Sequence, residues 1–334
     1  MNNNSDITQE ELEKSNQIIK QILNYTNQKV VGQKRLQTAL LTAFIANGHV
    51  ILESVPGLAK TTAAKVFSDA VSGKFSRVQC TPDLLPSDII GTQIFNYKTG
   101  KFEVKVGPVY ANFVLLDEIN RSSAKTQSAM LEAMQERQIS IDRVTLPMPN
   151  VFVVIATQNP IEQEGTYLLA EAQLDRFLIK EKIDYPTIEE EIEILNREEN
   201  NVFVKNAPIF KIEDIEFLQN LSKRVYIDNA IKEYIAKIIN ATRNSEGVIS
   251  KEMSGYIRMG ASPRGSIAFM KVAKALALIN GRNYVIPEDI KEASYSVLRH
   301  RIELNYSAVA DGVEVEKIID EIVGAIQTPW VKII

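Results

Sequence analysis

The chain has 334 residues, 45% of them hydrophobic and 24% charged, with a formal net charge of −4, one cysteine and two histidines. This length carries roughly two domains, each able to bury its own core, and the mild acidity supplies no field that would draw the protein to nucleic acid or an acidic membrane. A single cysteine excludes a disulfide framework within the chain, and two histidines leave little material for histidine-rich metal sites or Ser-His-Asp hydrolysis.

The N-terminus, MNNNSDITQEELEKSNQ, lacks the basic, apolar and small-residue succession of a secretory signal. No run approaches the ~18 apolar residues of a membrane span. A cytoplasmic protein is expected, with residues 1–29 a helical, polar lead-in. Apolar, β-branched runs then recur: HVILES at 49–54, FSRVQC at 75–80, FVLLDE at 113–118, FVVIAT at 152–157 and FLIKEKI at 177–183. Runs without alternation suit strands covered on both faces of a parallel sheet. Helical stretches such as 61–72 and 124–136 separate them, which predicts a doubly wound α/β domain over 30–186. Cys80 reads as a small buried hydrophobe at a strand end, and His49 and His300 as structural. Two segments outside this alternation, 91–109 around Lys98-Thr99-Gly100 and 138–149, read as β-hairpins.

Beyond Pro186 the strands cease. Thr187 with Glu190 forms a capping box for a helix over 187–198. Further helices are predicted at 213–224, 228–244, 263–280, 287–299 and 314–326. Residues 187–209 are assigned to a linker and 210–334 to an all-helical lid.

The stretch ESVPGLAKTT at 53–62 follows the first strand and opens a helix, so backbone N–H groups and the positive helix end face an anion. Lys60 suits the β- and γ-phosphates and Thr61 a magnesium ion, with Val55, Pro56, Gly57, Leu58, Ala59 and Thr62 completing the cradle. Ser54 and Ala59 stand where a phosphate loop usually has its two framing glycines. On this stretch alone, a structural strand-turn-helix is an equal reading. Asp117 and Glu118 end a hydrophobic strand, where open parallel sheets bind ligands. Asp117 fits a magnesium ligand acting through water, and Glu118 a group that polarises the attacking water. The next strand ends at Asn159, whose amide can hold that water or simply serve a turn. Arg176 either pairs with Asp175 or reaches a neighbouring subunit's nucleotide. Ser262 caps a helix with Pro263 first and Arg264 in its first turn, at the mouth between the domains or in plain solvent.

The order of these parts resembles that of an AAA+ ATPase. The wording resembles the MoxR family in particular: VVGQ at 30–33, GHVILESVPGLAKT at 48–61, TPDLLPSDIIGT at 81–92, VLLDEINRSSAKTQSAMLEAMQER at 114–137, ATQNPIEQEGTYLLAEAQLDRF at 156–177, GASPRGSIAFMKVAKALAL at 260–278 and VLRHRI at 297–302. The resemblance runs over about residues 10 to 330. It implies an AAA+ P-loop core with a central parallel sheet flanked by helices, plus the C-terminal helical lid. It further implies ATP or ADP with Mg2+ as cofactors, Asn159 as sensor 1, Arg264 as sensor 2 and Arg176 as an arginine finger acting in trans. Val31 and Gly32 would border the adenine. A homo-oligomeric ring, commonly a hexamer, chaperone-like remodelling of protein clients and partners with von Willebrand factor A domains are implied in the same way. Ala59 agrees with the family's loop, whereas Ser54 departs from its first glycine and Ala170 from a usual proline. Two other functions are weighed: a nucleic-acid motor, for which only Lys98, Lys101 and Lys105 speak, and a nucleotide-gated scaffold with little turnover.

Overall fold

The computed structural model describes residues 6–54, 60–159, 167, 169–199 and 210–330, with no side-chain description at Lys60 and Thr61. The predicted loop residues Val55, Pro56, Gly57, Leu58 and Ala59 lie outside the described residues. The chain divides into two compact units, one of residues 20–177 and 181–216, the other of 1–19, 178–180 and 217–334.

In the first unit, α1 (Gln9–Lys29, shared with the second) and α2 (Lys34–Ile45) precede β1 (Val50–Glu53). Then come α3 (Lys60–Ala70), β2 (Phe75–Gln79), α4 (Pro86–Ile90), β3 (Gly91–Asn96), β4 (Lys101–Val106) and β5 (Phe113–Asp117). The series continues with α5 (Ala124–Glu136), β6 (Gln138–Ile141), β7 (Val144–Pro147), β8 (Val153–Gln158), α6 (Glu171–Leu174), β9 (Ile179–Lys182) and α7 (Ile188–Glu199). One sheet runs in the order β2-β5-β8-β1-β9. The pairs β2·β5, β5·β8 and β8·β1 are parallel. The sheet is thus the predicted one, assembled from all five apolar runs.

Both faces of its inner strands are covered. Phe113 stacks on Phe44 of α2 at 4.7 Å, and Phe44 meets Phe67 of α3 edge-on at 5.8 Å. On the opposite face Val114, Leu116 and Val154 share a core with Met130, Leu131 and Met134 of α5. Each fully buried leucine or phenylalanine here contributes roughly 1.5–3 kcal/mol relative to exposure. The expectation of two covered faces fails for β2, where Val78 alone is buried. As an edge strand it has a neighbour on one side only, so its polar positions reach solvent.

The two hairpins form as read. In β3·β4 the Asn96 carboxamide oxygen accepts from Lys98 N at 2.9 Å, and Gly100 N returns to Asn96 O at 2.8 Å, a side-chain-closed turn. At the root Gly91 has φ 115°, and a Cβ there would strike the Lys105 carbonyl, so glycine is required. In β6·β7 the turn residue Asp142 has φ 54°.

The second unit holds α8 (Ile212–Arg224, shared with the first), α9 (Asn229–Arg243), α10 (Lys251–Tyr256), β10 (Ile257–Met259), α11 (Pro263–Ile279), α12 (Pro287–Leu298), β11 (Glu303–Leu304), α13 (Tyr306–Ala310) and α14 (Val315–Ala325). Its core is the apolar stripe of each long helix, with Ile235, Ile238, Phe269, Val272, Ile290, Val297, Ile318 and Ile322 buried. Starts are fixed by capping: Asp228 accepts from Ala230 N and Ser262 from Arg264 N. Arg282 grips Asp289 with two hydrogen bonds while Asp289 also caps α12 at Ile286 N. Arg224 grips Glu11 in the same bidentate way and holds that carboxyl down at about 2, tying the start of α1 to α8. Among the described residues no helix is long and apolar enough to cross a membrane.

Candidate nucleotide site at the sheet edge

Because β1, β5, β8 and β2 run parallel, their C-terminal ends emerge at one edge. Ser54, the first residue beyond β1, is buried and its N–H donates to Gln158 O at 3.2 Å. The chain therefore leaves β1 for the loop beside the end of β8, and re-enters described structure at Lys60, the first residue of α3, with Thr61 and exposed Thr62 in its opening turn.

Asp117 and Glu118 sit at the same edge, one strand further. Asp117 is buried, at 6% exposure, at the end of β5, and Thr157 on β8 places its hydroxyl 3.4 Å from Asp117 Oδ1. The second carboxylate oxygen receives Arg77 Nε from β2 at 2.6 Å. Glu118 has left the strand: φ 56° and ψ 54° put it in the left-handed region. For a non-glycine residue that conformation costs of order 1 kcal/mol or more and persists only when its surroundings impose it. The imposing contacts are visible. Glu118 N donates to Thr157 Oγ1 at 2.9 Å, Gln79 Nε2 and Arg121 Nη1 each donate to Glu118 Oε2 at 3.1 Å, and Arg121 N closes the turn on Glu118 O at 2.9 Å. Behind the turn, Gln127 of α5 shares its amide hydrogens among the carbonyls of Ile119, Ser122 and Tyr167. Strand, turn and helix thus hold the two carboxylates on separate partners, Asp117 on Arg77 and Glu118 on Gln79 and Arg121.

Asn159 follows β8 and is buried at 4% exposure. Two neighbours of these residues, Asn120 Oδ1 and Gln158 Oε1, are buried acceptors without a hydrogen-bond partner among the described residues. Buried orphans of this kind are rare in folded proteins. A carboxylate pair and unsatisfied acceptors are the donor set that a hydrated magnesium ion can satisfy, since its waters are hydrogen-bond donors. The residues present therefore fit Mg2+ with a nucleotide.

Gly32 has φ 60°, and a Cβ there would run into the Glu190 carboxylate, which also completes the predicted capping box with Thr187 at the start of α7. Val31 beside it is half-buried. Arg176 follows α6, its Nε buried and without a hydrogen-bond partner among the described residues. Arg264 is exposed in the first turn of α11, in the helical unit. Cys80 follows β2 with its N–H donating to Asp117 O at 2.9 Å; burial, with Asp117 and Glu118 nearby, pushes its thiol up to about 12. His49 is buried between Val154 N, which donates to Nδ1 at 3.0 Å, and Met134 O, a structural position.

Sequence reasoning did not single out Thr157, Arg77, Gln79 or Arg121. Thr157 carried a usable signal, since it lies two residues before Asn159 on the strand neighbouring Asp117. The others depend on which strand lies beside β5 and in what register.

Known proteins share this arrangement. A family model for the ATPase family associated with various cellular activities (AAA) matches residues 49–179, and one for the AAA lid domain matches 250–322. Chaperone MoxR1 of Mycobacterium tuberculosis is 46% identical over 303 residues, covering 90% of this chain and 80% of that protein. Protein MoxR of Paracoccus denitrificans is 31% identical over 296 residues, 84% of this chain and 86% of its own length. A crystal structure of a candidate ATPase from Cytophaga hutchinsonii superposes with a TM-score of 0.90 at 44% identity, covering 96% of this chain and 98% of that one. Sheet order, paired edge carboxylates, helical lid and identity over most of the chain agree: this chain belongs to the MoxR family of AAA+ ATPases.

Proposed function

We propose that the protein hydrolyses ATP in a Mg2+-dependent reaction within a homo-oligomeric ring, hexameric by analogy, and uses the turnover to remodel protein clients in the cytoplasm. The observation that carries the catalytic part is Glu118, held in a left-handed turn at the sheet edge directly after buried Asp117. The client part leans on the name of one relative, Chaperone MoxR1. Partners with von Willebrand factor A domains belong to the same reading.

In this mechanism Asp117 and the Thr61 hydroxyl would hold magnesium, and the loop 55–59 with Lys60 and Thr62 would hold the phosphates. A magnesium ion held there would supply Lewis-acid stabilisation of phosphate charge. Glu118 orients a water and takes its proton at a carboxylate oxygen. Asn159 holds that water from the neighbouring strand end. Val31 and Gly32 border the base. Arg264 meets developing charge from the lid, residues 210–334, which moves on the linker 187–209. Arg176 does the same for the nucleotide of an adjacent subunit, a use that suits a guanidinium whose Nε has no partner among the described residues.

The test is phosphate release and particle size, followed across protein concentration for wild type, Glu118→Gln and Arg176→Ala. Glu118→Gln is expected to bind ATP and lose turnover by about 100-fold or more. Arg176→Ala is expected to assemble and hydrolyse poorly, and wild-type turnover per subunit is expected to rise with assembly. Unchanged turnover in Glu118→Gln would remove the catalytic assignment.

A further inference from the structure

Gln127, in the first turn of α5, is buried at 1% exposure. Its backbone N–H donates to Ser123 O at 2.9 Å, which seats it behind the turn that carries Glu118. Its side-chain Nε2 lies 3.2 Å from Ile119 O, 3.1 Å from Ser122 O and 3.0 Å from Tyr167 O. An amide nitrogen has two hydrogens, so the three carbonyls share them. Ile119 and Ser122 bound the short turn that follows Glu118. Tyr167 belongs to another stretch of chain, and it meets the same turn a second time, its N–H donating to Asn120 O at 2.6 Å. The Tyr167 side chain is 51% exposed, so this residue is held by its backbone and not by burial of its ring.

From Tyr167 the chain runs to Arg176 through a rigid bracket. Leu169 and Phe177 are buried in the core that β5, β8 and α5 share. Between them Ala170 N donates to Gln173 Oε1 at 2.8 Å, and Ala170 O accepts from Gln173 N and Leu174 N at 2.8 and 3.0 Å. Asp175 N then returns to Glu171 O at 2.9 Å and Arg176 N to Gln173 O at 3.2 Å. Arg176 sits at the exit of this bracket, and Tyr167 fixes its entry. An apolar side chain of similar length would fill the place of Gln127 without the cost of burying an amide. What the amide adds is a fixed relation between two segments of backbone.

We infer that Gln127 is a positioning residue for two groups at once: the Glu118 turn of its own subunit and, through Tyr167 and the bracket, Arg176. This role rests on the reading in which Arg176 serves the nucleotide of an adjacent subunit, and it adds a means of regulation. A subunit whose Glu118 turn is intact presents a placed guanidinium to its neighbour, and one whose turn is disturbed withdraws it.

Hydrogen exchange of the full-length protein tests the junction without reference to turnover. In wild type the Tyr167 amide is expected to exchange slowly although its side chain is exposed; exchange at the rate of a free peptide would overturn the inference before any variant is made. Gln127→Met fills the same space and removes both donors. It leaves Ile119 O with Ser122 N at 3.2 Å and Ser122 Oγ at 2.8 Å, so the fold should survive, which unchanged exchange in β5 and β8 would confirm. Exchange in this variant is expected to quicken about three- to tenfold in 118–123 and in 167–177 together, the effect of one lost hydrogen bond. Quickening in 118–123 alone sinks the proposal. Turnover of mixed assemblies then reads the effect on the neighbour. Wild type is mixed with Glu118→Gln, with Glu118→Gln/Gln127→Met or with Glu118→Gln/Arg176→Ala, all silent at their own sites. The Gln127 double variant should lower turnover per wild-type subunit as far as the Arg176 double variant does, which a defect confined to its own site cannot do. A loss with the Arg176 double variant and none with the Gln127 one counts against the inference. No loss with either, with exchange quickened in both segments, leaves the junction standing and removes the action of Arg176 in trans.

Discussion

The central strands β5 and β8 and the hairpin β3·β4 are both rich in large apolar residues, yet they use them in opposite ways. In β5 every residue from Phe113 to Asp117 is buried, because two layers of helices cover it. In the hairpin Ile94, Phe95 and Phe102 are exposed at 43% or more, because none of the described residues covers the tip. The first pattern produces a rigid platform whose edge can hold two carboxylates in fixed directions. The second produces a surface that something else must complete. Rigidity belongs to the chemistry and exposure to recognition, a common division of labour between scaffold and loop.

The sharpest way to break this contrast is to truncate one apolar residue on each side of it. Leu115→Ala leaves a cavity beneath the sheet and is expected to cost roughly 2–5 kcal/mol in denaturant unfolding. Phe102→Ser is expected to change stability by no more than about 0.5 kcal/mol. A comparable loss from both would mean that the hairpin tip is packed in solution.

A smaller effect separates platform from chemistry. Thr157→Val removes the hydroxyl that accepts from Glu118 N and lies near Asp117 Oδ1. Leaving that N–H unsatisfied costs about 1–3 kcal/mol, and a Glu118 turn that is no longer pinned should lower kcat about tenfold. Thr157→Ser, which keeps the oxygen, should restore most of it. If Val and Ser behave alike, the hydroxyl does not position Glu118.

The same contrast explains what could be read before any coordinates. The five sheet strands were legible from apolar runs, and the 91–109 hairpin from its Lys98-Thr99-Gly100 turn. Helix α2 was not, for two physical reasons: most of its residues are buried, so no polar stripe marks a period, and Gln33 caps it with a left-handed backbone and no side-chain hydrogen bond. Within the site, Asp117 and Glu118 stand out because they end an apolar strand downstream of the 53–62 loop pattern; without that loop, acidic residues at a strand end often serve only to solvate it. Arg77 and Gln79 lie two apart on β2 and so share a face, but that this face meets the carboxylates follows from pairing Gln79 with Asp117. Register between distant strands is a tertiary property, absent from any local pattern.

Arg77 is also where the smallest effect is expected. Its guanidinium holds Asp117 Oδ2 at 2.6 Å, with its own side chain 53% exposed. With Asp117 buried but Arg77 half-exposed, solvent screening keeps the pair's net worth to about 1 kcal/mol. On the proposal that Asp117 holds magnesium, the metal would compete with that contact, so Arg77→Gln should lower the Mg2+ concentration needed for half-maximal turnover, by up to about fivefold. The shift should shrink as salt is raised, because screening already weakens the wild-type pair. A higher Mg2+ requirement in Arg77→Gln would reverse the sign and make Arg77 a group that orients Asp117 for the metal instead of one that the metal displaces.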